Sequence, residues 1–111
     1  MDRRRLKALC LRLPDAIATR FGEPENILTY KVRGRTFAYF KTSAPERWRF
    51  SVRVAPDRFL ALIDMPGVKP ARYRGRWHWV TIVDVAAFPA DYLRELVAWS
   101  YQRAQCRAQP R

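Results

Sequence analysis

Eight residues, Arg72–Trp79 (RYRGRWHW), put arginines at 72, 74 and 76, fill most of the gaps with aromatics, and carry the chain's one histidine. A guanidinium is a planar fork that matches phosphate oxygens two at a time and stacks on flat bases. A shorter stretch, Val32–Phe37 (VRGRTF), repeats the Arg-Gly-Arg core. Glycine supplies the backbone freedom a tight turn needs, so Arg33, Arg35, Arg74 and Arg76 are read as projecting from two β-turns. Their expected work is phosphate contact, with Arg72 enlarging the patch. Tyr73 and Trp77 are the aromatics suited to stack on exposed bases or wedge at a groove. The plain alternative is that tip arginines are solvated edges that discourage strand-to-strand pairing.

Other chemistry is thinly represented. His78 would be the first candidate for acid–base work, but no nucleophile elbow, P-loop, paired acids or HExxH accompanies it. It is read as a packed or hydrogen-bonded histidine, on the strand side shared by Val80 and Ile82. Two cysteines, Cys10 and Cys106, with one histidine and no CxxC spacing make a poor zinc inventory. The sequence therefore gives no catalytic, metal or cofactor-binding residues, and the two thiols are read as free.

Charge is the strongest global signal. Lysine and arginine total 22 against 10 acids, a net charge of +12, and 18 of the 22 are arginine. Base composition of a genome can favour arginine over lysine, but it does not create the excess. An anionic partner is the expectation. No apolar run is long enough for a membrane span, and the apolar positions of the basic start are broken by Lys7 and Arg12, unlike a signal peptide. A cytoplasmic protein is expected.

These residues must be positioned by a single domain spanning 1–111. Leu6, Leu9, Cys10 and Leu13 follow the spacing of one helix face, and Pro14 closes a first helix over about Arg3–Leu13. Ala16–Phe21 reads as a short strand. Ile27–Val32 and Thr36–Lys41 flank the first Arg-Gly-Arg as a hairpin. Arg47–Val54 alternates strictly: Trp48, Phe50, Val52 and Val54 point one way, and Arg47, Arg49, Ser51 and Arg53 the other. That reading adds Arg47, Arg49 and Arg53 to the candidate site as a solvent-facing row, and takes Trp48 and Trp79 as packed. Pro56 and Asp57 open a second helix, Trp79–Val85 is a β-branched strand, and Pro89 starts a last helix with Leu93, Leu96, Val97, Ser100, Tyr101 and Ala104 inward. The predicted class is α+β: a mainly antiparallel sheet with the N-terminal, middle and C-terminal helices on one face.

Several stretches occur in the order found in MmcQ/YjbR-like proteins: LP at 13–14, YKVRGRTFA at 30–38, FSVRVAPDRF at 50–59, PGVKPARY at 66–73, WHWVTI at 77–82 and SY at 100–101. The chain resembles that family over roughly residues 6–106. The resemblance implies a small bacterial α+β domain of CyaY-like type, with a double-wing arrangement proposed to bind DNA. The chain departs from the family in having Arg53 where many members have lysine, and Trp77 directly before His78. The expected function is thus a non-enzymatic nucleic-acid-binding domain acting on duplex DNA through basic hairpin wings. The alternative is an adaptor whose basic face meets an acidic protein.

Overall fold

The computed structural model describes residues 1–72 and 77–106. In chain order they form α1 (Arg3–Arg12), β1 (Ile17–Phe21), β2 (Ile27–Val32), β3 (Arg35–Lys41), β4 (Phe50–Arg53), α2 (Pro56–Ile63), β5 (Val68–Pro70), β6 (Trp79–Ile82) and α3 (Ala90–Cys106). A short 3-10 turn at Val85–Ala87 precedes α3. The strands make one sheet ordered β1-β2-β3-β4-β6-β5, and every neighbouring pair is antiparallel.

Period-2 alternation decides what each strand buries. Leu28, Tyr30 and Val32 of β2, Ala38 and Phe40 of β3, Phe50 and Val52 of β4, Val80 and Ile82 of β6 and Val68 of β5 share one face and form the core. The three helices cover that face. α1 contributes Leu6 and Cys10, and α2 contributes Leu62. α3 lies across β2, β3 and β4 and buries Leu93, Leu96, Val97, Ser100, Tyr101 and Ala104, the predicted stripe in full. Burying each large apolar side chain contributes about 1.5–3 kcal/mol.

Two bulges shape the central strands. The β2–β3 register passes from Tyr30 opposite Ala38 to Lys31 opposite Thr36, leaving Phe37 without a ladder partner. Its carbonyl is instead satisfied from α3: the buried Ser100 hydroxyl donates to it at 2.6 Å. One residue on, Tyr101 stacks its ring edge against Phe37 at 5.3 Å and donates its hydroxyl to the Pro14 carbonyl at 2.6 Å. Leu13–Pro14, Phe37 and Ser100–Tyr101, which carry part of the family resemblance, are therefore joined as one polar and aromatic staple. Their work is to hold the helices on the sheet.

The second bulge corrects the predicted alternation of Arg47–Val54. Trp48 donates its backbone N–H to the Lys41 carbonyl, and Lys41 donates back to the Arg49 carbonyl, so two residues oppose one. Trp48 has φ 68°, a left-handed backbone that favours glycine. Regular strand therefore begins only at Phe50, although Trp48 keeps to the core side, its ring edge against Phe40 at 6.0 Å. Arg47 turns to the Trp48 side, with its guanidinium 5.5 Å from the indole; it does not join Arg49 and Arg53 in a row. The same kind of backbone occurs at His78. At φ 67° it precedes β6, and its ring meets Phe59 of α2 at 5.5 Å. It is packed, as read from the sequence, and on the helix-covered side that Val80 and Ile82 also face.

Candidate nucleic-acid interface

The sheet face away from the helices is polar and basic. The six strands together contain Arg20, Lys31, Arg35, Lys41, Arg53 and Lys69 and no acid. Alternation turns Lys31, Lys41, Arg53 and Lys69 to the open face, because each is out of phase with the core-forming apolar residues of its own strand. Tyr39 and Trp79 lie on this face too, their rings 5.7 Å apart and tilted by 34°. Trp79 is buried as expected, though on the side of the sheet away from the helices.

At one end of the sheet, β2 and β3 are joined by Arg33 and Gly34 alone, with φ of 52° and 77°. Positive φ at both positions is the turn whose twist matches a hairpin. Gly34 meets that requirement without steric cost, whereas arginine is a poor occupant where asparagine is favoured. Arg33 and Arg35 are both exposed. The β5–β6 connection leaves the sheet at the same end, since Ala71 pairs with Trp79 one step beyond Pro70 and Val80. Tyr73, Arg74 and Arg76 lie outside the described residues. Of their flanks, Trp77 is 54% exposed, while Arg72 reaches back over the open face.

Toward the β3–β4 connection the open face deepens into a groove of about 500 Å³. Its floor includes Ser51 and Thr81, whose hydroxyls lie 2.7 Å apart. Arg49 and Arg72 converge on one oxygen of Glu46, at 3.5 and 3.1 Å. Lys41 donates to the Glu25 carbonyl at 2.9 Å.

A second basic cluster surrounds Trp48. Arg3 and Lys7 of α1 each sit 4.5 Å from the indole centroid, and Arg47 completes the set. Desolvation, reinforced by repulsion from Arg3 and Arg20, lowers the Lys7 pKa. The first helix thus places two cations on an aromatic ring instead of spreading them over an inert solvated face.

Of the residues singled out from sequence, Arg49 and Arg72 meet at Glu46 on the open face, Arg53 lies on that face nearer the tip, Arg33 and Arg35 sit at the hairpin tip, and Arg47 belongs to the Trp48 cluster. Lys31, Lys41, Lys69 and Glu46 were missed. Lys31 announces itself by alternating with buried Tyr30 and Val32; the role of Glu46 depends on tertiary approach to Arg72 and has no local signal.

An antiparallel six-stranded sheet covered on one face by three helices defines an α+β domain with an open basic face. The chain belongs to the YjbR family, whose model matches residues 11–103. It is similar to a Deinococcus radiodurans protein of known structure with a DUF419 domain: 30% identity, TM-score 0.74, covering 90% of this chain and 75% of that one. A Pseudomonas syringae protein shares the fold at 17% identity and TM-score 0.74, over 94% of this chain and 99% of that one. No curated protein matches. Among the described residues no helix is long and apolar enough to cross a membrane.

Proposed function

We propose that this protein is a non-enzymatic nucleic-acid-binding domain that grips duplex DNA by its phosphates. The observation that carries the reading is the charge of the sheet: six cations and no acid in its strands, with Arg35, one of the six, and Arg33 at an exposed tip. Arginine at position 33 supports it further. A turn that locally favours asparagine has arginine instead, and local rules tend to yield at functional positions. Lys31 and Arg53 lie nearest the tip on the open face and extend the phosphate track. Contacts of this kind position a duplex without reading its sequence.

The test is anisotropy titration of a labelled duplex between about 50 and 200 mM salt, with heparin competition. About six phosphate contacts give a log–log slope of about −5. Arg33→Ala/Arg35→Ala weakens binding and flattens that slope by about 2. Unchanged affinity in the double variant, or indifference between duplex and heparin, overturns the reading and favours an acidic protein as partner.

A further inference from the structure

The groove at the β3–β4 end of the open face is separate from the hairpin tip. We propose that it is a binding site for a nucleoside monophosphate, in which Glu46 occupies the place of the phosphate until the ligand displaces it. Arg49 and Arg72 come from distant parts of the chain and converge on the same Glu46 oxygen. Two guanidiniums on one anionic oxygen is an arrangement a phosphate satisfies more fully, because it offers each fork two acceptors. The charge balance agrees. Lys41, Arg49, Lys69 and Arg72 line the groove against Glu25 and Glu46, an excess of two positive charges. A phosphomonoester carries about −1.5 to −2 at pH 7.

The remainder of the groove suits a flat polar ring on a sugar. The half-buried Tyr39 ring forms part of the wall, and Ile27 and Pro70 supply apolar contact. The Ser51–Thr81 hydroxyl pair stands on the floor with donor and acceptor capacity for sugar or base. The volume of about 500 Å³ lies in the range of single small-ligand sites. Glu46 is held by part-exposed ion pairs, with 28% of its side chain exposed and 68% of Arg72's. Such pairs are weak, so a ligand phosphate can take both arginines while the carboxylate swings into water. Glu46 then acts as a built-in competitor that discriminates against weakly charged anions.

Calorimetric titration with adenosine monophosphate, adenosine and inorganic phosphate tests this on the full chain and on Glu46→Gln and Arg72→Ala. Adenosine monophosphate binds the unaltered protein, and more tightly than either fragment does. Glu46→Gln tightens it about three- to fivefold, as expected for release of a part-exposed ion pair, and Arg72→Ala weakens it about tenfold. Both substitutions sit at half-exposed or exposed positions, and matching thermal unfolding shows that the fold is intact. No heat with the nucleotide up to millimolar concentration, equal affinity in Glu46→Gln, or equal affinity for inorganic phosphate overturns the proposal. Duplex affinity, measured on the same samples, reports the hairpin-tip function independently.

Discussion

Replacing Ser100 by alanine isolates the bond that closes the helix layer over the bulged strand. Ser100 is 2% exposed, and Phe37, whose carbonyl accepts its hydroxyl at 2.6 Å, is fully buried. Phe37 has no opposite residue in the β2–β3 register, so its carbonyl depends on the Ser100 hydroxyl. Deleting the hydroxyl therefore strands a buried acceptor, which costs about 1–3 kcal/mol, with little added cavity because one oxygen is lost. For a domain of this size each kcal/mol lowers Tm by about 4–5 °C, so the variant melts about 4–15 °C lower. Tyr101→Phe is the internal control. Its acceptor, the Pro14 carbonyl, belongs to an exposed residue that water can reach, and the loss is about 0.5–1.5 kcal/mol. Urea melts of the three proteins with a common m-value give both numbers. A Ser100→Ala cost below about 0.5 kcal/mol, or below that of Tyr101→Phe, would refute the bulge-and-staple account.

Further predictions concern the turn, the buried thiol and the core. Arg33→Asn suits the left-handed turn better and raises stability by a few tenths to about 1 kcal/mol in denaturant melts, while duplex affinity falls. Burial pushes the Cys10 thiol from 9.0 up to about 12. Its contribution to stability is full below the ordinary thiol pKa and declines as pH rises from about 9 toward 12. The stability gap between the native chain and Cys10→Ala should therefore narrow between pH 8 and 10.5, as followed by urea melts at each pH. A thiol reagent at pH 8 should label Cys106 rapidly and Cys10 only on unfolding, because Cys106 is exposed. Phe50→Ala empties the aromatic contact with Phe40 at 5.0 Å and costs about 3–5 kcal/mol by thermal or chemical melting.

Some of this architecture is readable in the residues and some is not, for physical reasons. The α3 stripe is legible because seventeen residues hold one helical period. The β2–β3 hairpin is legible because glycine punctuates two β-rich runs. β5 is hidden: it has three residues, one of them proline, and exists through pairing with β6. Arg47 misleads because the left-handed turn at Trp48 looks, letter by letter, like one more step of an alternating strand. The cations of the candidate site are visible as composition, while their grouping is not. Arg72 and Glu46 are 26 positions apart, and only the order β4-β6-β5 brings them across one groove.

The staple joining Phe37 to Ser100 and Pro14 to Tyr101 spans 63 and 87 positions of chain. The β1–β4 meander, by contrast, is built from neighbours in sequence and can zip early, since short loops close at small entropic cost. Its apolar face then waits for α3, which comes after every strand in the chain. The barrier to folding should accordingly be late docking of α3. Weakening the staple should speed its release more than it slows the meander's formation, so Ser100→Ala acts chiefly on the unfolding limb of a chevron plot. Between meander and closure the chain passes through a state with its sticky side open, and the cations spread along the same strands keep two such chains apart. The charge suited to holding a polyanion would thus also keep the half-folded sheet from its own kind.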